Sequence, residues 1–310
     1  MKIDSKTGLL GLLGSPSRHS LSPFIQNTFL SYYGINCIYL AFEPDEHSLK
    51  QVFEGAAGLE FTGLNVTMPF KDKVYRLVDD AEGSAAIIKA VNTVKFCRDL
   101  KGSKNLSSSK NYISRGYSTD GNGFIKSLED FGFAWGNKSC LVIGAGGAAS
   151  STIFEVLKKN LKNIYIFDVD VKKASSLKEI ISGHLSSDTG VRVLENIKHA
   201  EEFYDEIDLI VNCTPAGMKL ESFPENINKL PVPEGWSLKD KYVFDMVYNP
   251  LETALLKKAK KDNAAQAISG IYMLVNQAAF SFKIWFNIMP GEKILKKIIS
   301  GIKRGRTGLW

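Results

Sequence analysis

The chain has 310 residues, 44% of them apolar and 23% charged, with a formal net charge of +6. That length suits two domains, and that composition excludes a disordered or collagen-like chain. The positive excess is lysine spread over helices and the tail, with no arginine-rich stripe, so no nucleic acid is expected as a partner, and a mild field suited to an anionic small molecule remains.

Cys37, Cys97, Cys140 and Cys213 form no CxxC pair, and His19, His47, His184 and His199 show no ligand spacing. No metal site and no disulfide framework is therefore expected. No apolar run is long enough to span a bilayer, so no membrane partner is expected. The opening "MKIDSKTG" does not read as a signal peptide, and a reducing cytoplasm is the expected compartment.

In chain order, "GLLGLLGS" reads as a buried strand ending in a turn. "SPFIQNTFLSYYG" reads as a helix capped by Ser22, with Pro23 in its first turn and Gly34 as its stop. "NCIYLAFE" is a strand, "EHSLKQVFEGAA" a helix and "FTGLNVT" a third strand. In "MPFKDKVYRLV", Pro69 opens a helix with Lys71 in its first turn. "NTVKFCR" and "NYISRGYS" read as two strands joined by an exposed loop, "DLKGSKNLSSSK".

A second domain is expected to begin near Thr119. "TDGNGFIKSLEDFG" is an amphipathic helix, and "SCLVIGAGG" a buried strand entering a glycine turn. "GAASSTIFEVLKKN", "NIYIFDV" and "VKKASSLKEII" read as helix, strand, helix, and "EIDLIVNCT" and "KYVFDMV" as further strands. That alternation predicts a parallel, doubly wound sheet. The apolar helix "GIYMLVNQAAFSFKIWFN" and the helix "GEKILKKIISGIKRG" are expected to return to the first domain, and "RGRTGLW" to fray.

Gly144, Ala145, Gly146, Gly147, Ala148 and Ala149 match G-x-G-x-x-G/A between a strand and a helix. Gly144 suits the tight turn, Gly146 lets backbone approach a pyrophosphate, and Ala149 lets the helix sit close to the sheet. Asp168 lies about twenty residues on, where an acid accepts hydrogen bonds from ribose hydroxyls; a carboxylate there favours NAD over NADP. The alternative is a helix cap, a role that Asp170 suits better.

Lys71 in a first helical turn is electrostatically disfavoured by the helix dipole; taken alone it reads as an exposed structural lysine. Asp120 in "YSTDG" reads alone as a turn or cap residue. Ser20 and Ser22 suit polyol or carboxylate recognition, and capping explains them equally well.

Eight motifs, "HSLSP", "NVTMPFK", "KAVNTV", "STDG", "IGAGGAA", "NCTPAGM", "DMVYNPLETALL" and "MLVNQA", occur in that order. Together they resemble the shikimate dehydrogenase family across essentially the whole chain, and its NAD-preferring quinate/shikimate dehydrogenases in particular. The resemblance implies an α/β fold: a substrate domain of residues 1–119 completed by helices in 270–310, and a Rossmann-type doubly wound nucleotide-binding domain of residues 120–269, with the active site in the cleft. It implies reversible oxidation of shikimate to 3-dehydroshikimate with NAD, NADP being possible. The alternatives are a quinate dehydrogenase and, from a different class, a sensor without turnover.

By the same resemblance, Lys71 and Asp120 match the catalytic pair, and Ser20 and Ser22 the hydroxyls that bind the substrate carboxylate. Thr67, Asn92 and Gln277 match residues that bind ring hydroxyls, and Tyr248 a tyrosine lining the site. Gly270 falls at a nicotinamide-side backbone contact. The expected partner is the small-molecule substrate, and the expected state a monomer or homodimer.

The sequence departs from the family in three places. Where NADP-using members carry an "NRT"-like motif, this chain has Asp168, Val169 and Asp170, so the arginine for the 2′-phosphate is absent; Lys173 is the remaining nearby cation. Ser118 replaces an asparagine before Asp120, and the loop around "KGSKNLSSSK" is long and reads as a disordered surface insertion.

Overall fold

The computed structural model describes residues 3–98, 112–184, 189–305 and 307. The long loop of residues 99–111 and most of the terminal "RGRTGLW" lie outside the described residues. Compactness divides the chain into two units, residues 1–119 with 277–310, and residues 120–276.

In the first unit the strands are β1 (Gly8–Leu13), β2 (Cys37–Phe42), β3 (Gly63–Val66), β4 (Asp80–Ala81), β5 (Thr93–Arg98) and β6 (Tyr112–Tyr117). They form one sheet in the order β2-β1-β3-β5-β6-β4. β1 pairs in parallel with β2 and β3, while β5 runs antiparallel to both β3 and β6. β4 has only two residues, too short for any periodicity to reveal it in the sequence.

The helices here are α1 (Ser22–Tyr32), α2 (Leu49–Gly58), α3 (Lys71–Tyr75) and α4 (Ser84–Ile88). Leu13, Phe53, Leu64, Val66, Phe70 and Val94 form the core between α2 and the sheet.

Two helix starts differ from the sequence reading. Ser22 does not cap α1. Leu21 holds the cap position, Ser22 is the first helical residue, and Ser20 Oγ accepts the Ser22 N–H at 3.2 Å. α3 opens at Lys71, behind Phe70, rather than at Pro69.

The second unit holds β7 (Ser139–Ile143), β8 (Asn163–Phe167), β9 (Gly190–Leu194), β10 (Ile207–Asn212), β11 (Tyr242–Asp245) and β12 (Gln266–Ser269). All neighbours are parallel, in the order β9-β8-β7-β10-β11-β12. This is the doubly wound order with the switch point between β7 and β10. β9 and β12 escape a sequence reading because they are short edge strands with mixed burial.

Its helices are α5 (Asp120–Asp130), α6 (Gly147–Val156), α7 (Val171–Ser182) and α8 (Ala254–Lys261). β7 shows how the two faces are built. Cys140 and Val142 pack with Phe124, Leu128, Ile153 and Leu177, whereas Leu141 and Ile143 pack with Ala200, Leu255 and Ala259. Strand side chains alternate between faces, and both faces are covered, so the strand is apolar throughout.

α9 (Gly270–Phe286) and α10 (Glu292–Lys303) close the chain. The unit boundary falls inside α9, after Asn276, and not at its start. The first turns belong to the second unit because Ile271 is fully buried, Tyr272 stacks edge-on against Phe131, and Asn276 Nδ2 donates to Ser127 Oγ at 3.0 Å. The later turns belong to the first unit. Trp285 Nε1 donates to the Val94 carbonyl at 2.9 Å, and Gly63 leaves room for its ring. No helix among the described residues is long and apolar enough to cross a membrane.

Candidate active site

In the first unit the site residues gather at the C-terminal ends of β1 and β3 and the start of β5. Ser20 Oγ donates to Ser22 Oγ at 3.1 Å, and Ser22 is buried. Thr67 directly follows β3, its N–H held by the Leu13 carbonyl at 2.8 Å. Gly14 lies so close to Thr67 that a Cβ there would meet Thr67 Cγ2 at 2.2 Å. Lys71 opens α3, half-buried, and its carbonyl accepts the Val91 N–H at 3.0 Å. The backbone at Lys71 is thus pinned from the chain segment that carries Asn92.

Asn92 is buried, and its side chain is held by Thr119. Its Oδ1 accepts from Thr119 N at 2.9 Å, and Thr119 Oγ1 donates on to Gln277 Oε1 at 3.3 Å. Asn92 Nδ2 also donates to that hydroxyl at 3.0 Å, so Asn92 and Gln277, distant in sequence, are joined through Thr119. Four further buried residues that the motif reading passed over complete this region: Tyr39, Asn65, Thr93 and Ser281. Two of them had a sequence signal. Asn65 lies two residues before Thr67 on a strand, hence on the same face, and Ser281 lies one helical turn after Gln277.

In the second unit Gly144 has φ +101°, and a Cβ there would press on the Cys213 backbone at 3.1 Å. Only glycine suits that turn. Gly146 and Gly147 face open space. Gly146 stands at the cap position of α6 with no side-chain cap, so the first N–H groups of a ten-residue helix, with those of Ala148 and Ala149, are left for an anion. Ala149 is fully buried against the sheet. An open, uncapped glycine turn is what a pyrophosphate requires, and these residues fit a dinucleotide.

Asp168 follows β8. One carboxylate oxygen accepts Ala145 N–H at 2.7 Å and the other Asp170 N–H at 2.8 Å. Each oxygen retains a lone pair for a further donor. Asp170 caps α7 by accepting from Lys172 N at 3.1 Å. Val169 between them is 92% exposed. Lys173 approaches Asp170 at 4.0 Å, with both side chains largely exposed.

The ends of β10 and β11 form a second polar cluster. Asp245 is fully buried and accepts from Thr253 Oγ1 at 2.5 Å, Asn212 Nδ2 at 2.9 Å and Val247 N at 3.0 Å. Asn212 Oδ1 in turn accepts from Thr214 N and its hydroxyl. Burial pushes the Asp245 carboxyl up to about 6 against these three donors. The cluster fixes the start of the segment that leads to Tyr248, whose phenol burial pushes above its ordinary range. Gly270 opens α9 against the Met246 carbonyl; a Cβ there would sit 2.1 Å from that oxygen. Asp120 opens α5, and the next residue, Gly121, touches α6 so closely that a Cβ would lie 2.3 Å from the Ser151 carbonyl. No group of three or more metal-ligating side chains occurs among the described residues, and all four cysteines are free.

A parallel sheet of this order with an open glycine turn at its centre is the architecture of a Rossmann-type dinucleotide-binding unit, and the other unit carries a cluster of buried amides and hydroxyls. Comparison with known proteins makes the assignment specific. The family model for the shikimate dehydrogenase substrate binding domain matches residues 12–94, and that for the shikimate 5'-dehydrogenase C-terminal domain matches residues 270–299. A shikimate dehydrogenase (NADP(+)) from Methanococcus maripaludis is 38% identical over 299 residues, covering 96% of this chain and 98% of its own.

Among solved structures, a shikimate dehydrogenase in complex with NADP+ superposes with a TM-score of 0.81 at 35% identity, covering 97% of both chains. A shikimate 5-dehydrogenase from Listeria monocytogenes in complex with shikimate and NAD superposes with a TM-score of 0.81 at 28% identity, covering 96% of this chain and 98% of that one. The chain belongs to the shikimate dehydrogenase family, and it is an NAD(P)-dependent oxidoreductase acting on CH–OH groups.

Proposed function

We propose that this protein oxidises shikimate reversibly to 3-dehydroshikimate and prefers NAD to NADP. The observation that carries the substrate reading is the buried bond system of the first unit. It has two parts, Ser20 bonded to Ser22, and Asn92 joined through Thr119 to Gln277, a spread of hydroxyl and amide groups matched to a carboxylate and several ring hydroxyls. Lys71 moves the proton of the reacting hydroxyl, and Asp120 keeps that exchange in register. Ser20 and Ser22 take the carboxylate; Thr67, Asn92 and Gln277 take ring hydroxyls; Tyr248 lines the site. The backbone of Gly144 to Ala148 holds the pyrophosphate, and Gly270 admits backbone close to the nicotinamide. The dinucleotide supplies the redox chemistry.

The cofactor preference rests on residues 168–173. A 2′-phosphate at this position would face the Asp168 carboxylate beside an exposed valine, and the nearby Lys173 already neighbours Asp170. Lysine offers a flexible point charge there and not the planar fork of arginine. The Methanococcus maripaludis relative is named for NADP(+), so direct measurement of the preference is the decisive test.

Initial rates with shikimate and quinate, each against NAD and NADP, are expected to be highest for shikimate with NAD. Higher rates with quinate would make the protein a quinate dehydrogenase, and ligand saturation without turnover would make it a sensor. Asp168→Ala is expected to shift the kcat/KM ratio towards NADP by about tenfold, equal to about 1.4 kcal/mol. Because Asp168 also holds Ala145 N–H and Asp170 N–H, Asp168→Asn serves as the control that keeps an acceptor oxygen and removes the charge. An unchanged ratio in both variants would mean that Asp168 does not read the ribose.

A further inference from the structure

Given the substrate reading above, on which this rests, we infer that Glu43 is a positioning residue: its carboxylate holds the loop of residues 14–20 in the shape that presents Ser20 and Ser22 to the substrate carboxylate. Glu43 directly follows β2, and the loop directly follows β1, the parallel neighbour of β2. One carboxylate oxygen, Oε1, accepts both the Ser17 N–H at 2.5 Å and the Arg18 N–H at 2.8 Å. The other, Oε2, accepts from Arg18 Nε at 3.1 Å. These bonds, the one from the Ser17 N–H foremost, hold the Glu43 carboxyl below its ordinary range, so it stays an ionised acceptor at neutral pH.

The same strand end, and the segment that carries Thr67 and Lys71, anchor the rest of the loop. The Phe42 carbonyl accepts from Gly14 N at 3.2 Å and from Ser17 Oγ at 3.4 Å, and the Met68 carbonyl accepts from Ser15 N at 3.1 Å. Ser17, at the centre of the clamp, is buried. From Ser17 the order passes on to the site. Its carbonyl accepts the Ser20 N–H at 3.0 Å, while Ser20 Oγ accepts the Ser22 N–H at 3.2 Å and donates to Ser22 Oγ at 3.1 Å. Each link from Glu43 to the serine hydroxyls is thus a hydrogen bond or the backbone of a single residue.

Two N–H groups that converge in a turn need an acceptor. Water supplies one at no fixed place. A carboxylate at the end of a strand supplies it at a fixed place, and so orders the loop before substrate arrives. The Arg18 side chain is 84% exposed, and an ion pair so open to solvent contributes little. The backbone bonds therefore carry the effect. They require reach and an acceptor oxygen, and charge is secondary. Without them Ser20 is no longer held in one place, and the loss falls on the carboxylate end of the substrate.

Glu43→Ala is expected to raise KM for shikimate about 3- to 10-fold, the scale of ordering one binding group, with kcat at saturation and the dinucleotide KM within about twofold of the original. Glu43→Gln keeps an oxygen for both N–H groups and is expected to restore KM to within about twofold. Glu43→Asp keeps the charge, loses one methylene of reach, and is expected to resemble the alanine variant. In a Ser20→Ala background Glu43→Ala is expected to add less than about twofold, because the hydroxyl it places is already gone. Should Glu43→Ala not fold, the contrast between Glu43→Asp and Glu43→Gln carries the same test. An unchanged KM in Glu43→Ala, even with a lowered melting temperature, overturns the inference, as does a rise in Glu43→Gln with none in Glu43→Asp. If the unmodified protein prefers quinate, which bears the same carboxylate, KM is read with quinate. Failure of the substrate reading shows separately, as an unmodified protein that oxidises neither shikimate nor quinate.

Discussion

Lys71→Ala is expected to lower kcat with shikimate by about 10²–10⁴-fold, the usual contribution of a positioned acid–base group. The fold should survive the change. The Lys71 backbone is held by the Val91 N–H, and Phe70 and Val74, buried on either side, carry the packing of that turn. Alanine is also the best helix former. Lys71→Arg separates the two roles a lysine could have: it keeps a positive charge and cannot release a proton, so it is expected to be nearly as slow as the alanine variant. Steady-state rates at saturating shikimate and NAD check both. A kcat within a few-fold of the original in Lys71→Ala would remove this lysine from the proton transfer.

Asp245→Ala is expected to cost about 3 kcal/mol or more of stability at neutral pH, read by thermal or denaturant unfolding. Two donors, Asn212 Nδ2 and the Val247 N–H, lose their acceptor in a fully buried place, and each unsatisfied group costs about 1–3 kcal/mol. The Thr253 hydroxyl can turn elsewhere. Asp245→Asn is expected to be far milder: its oxygen still accepts from Val247 and Asn212, and its amide donates to Thr253 Oγ1.

The pH dependence has a definite sign. The folded-state carboxyl is raised to about 6 from 3.8, so burial favours its protonated form. Its stabilising contribution is fully present below the unfolded value and is lost as pH rises through about 6. Between about pH 4 and 6 the difference in stability between the unmodified protein and Asp245→Asn is therefore expected to change, and above about pH 7 to be flat. The titratable group that interacts with it is Cys213, whose thiol burial pushes up and away from that window. A difference that stays constant from pH 4 to 8 would rule out titration of Asp245.

Much of the second unit was legible in the residues alone. The glycine turn at Gly144, the acid after β8 and the cap at Asp170 are local features, set by one residue's allowed angles or by a side chain reaching two positions along the chain. The strand-and-helix alternation is likewise a local pattern that repeats. Less could be read where an element is short or its role depends on a distant partner. Ser22 looked like a cap because a serine before proline usually is one; the structure makes Ser20 the acceptor, since the turn beginning at Ser17 brings its hydroxyl over the helix start. The split of α9 was equally invisible, because the helix is mostly buried along its whole length and nothing in its order of residues marks where one core ends and the other begins.

Residue order therefore settles the family, the glycine turn and the identity of the chemical groups, because each depends on short-range geometry or on motifs that stand intact in the chain. Folding alone joins Tyr39 to Asn65 and Asn65 to Ser281, and sets Asp245 against Asn212 and Thr253. Those partners lie 26, 216, 33 and 8 positions apart. Only the packing of sheet and helices removes them from water, and once removed, each polar group must find a neighbour inside the protein.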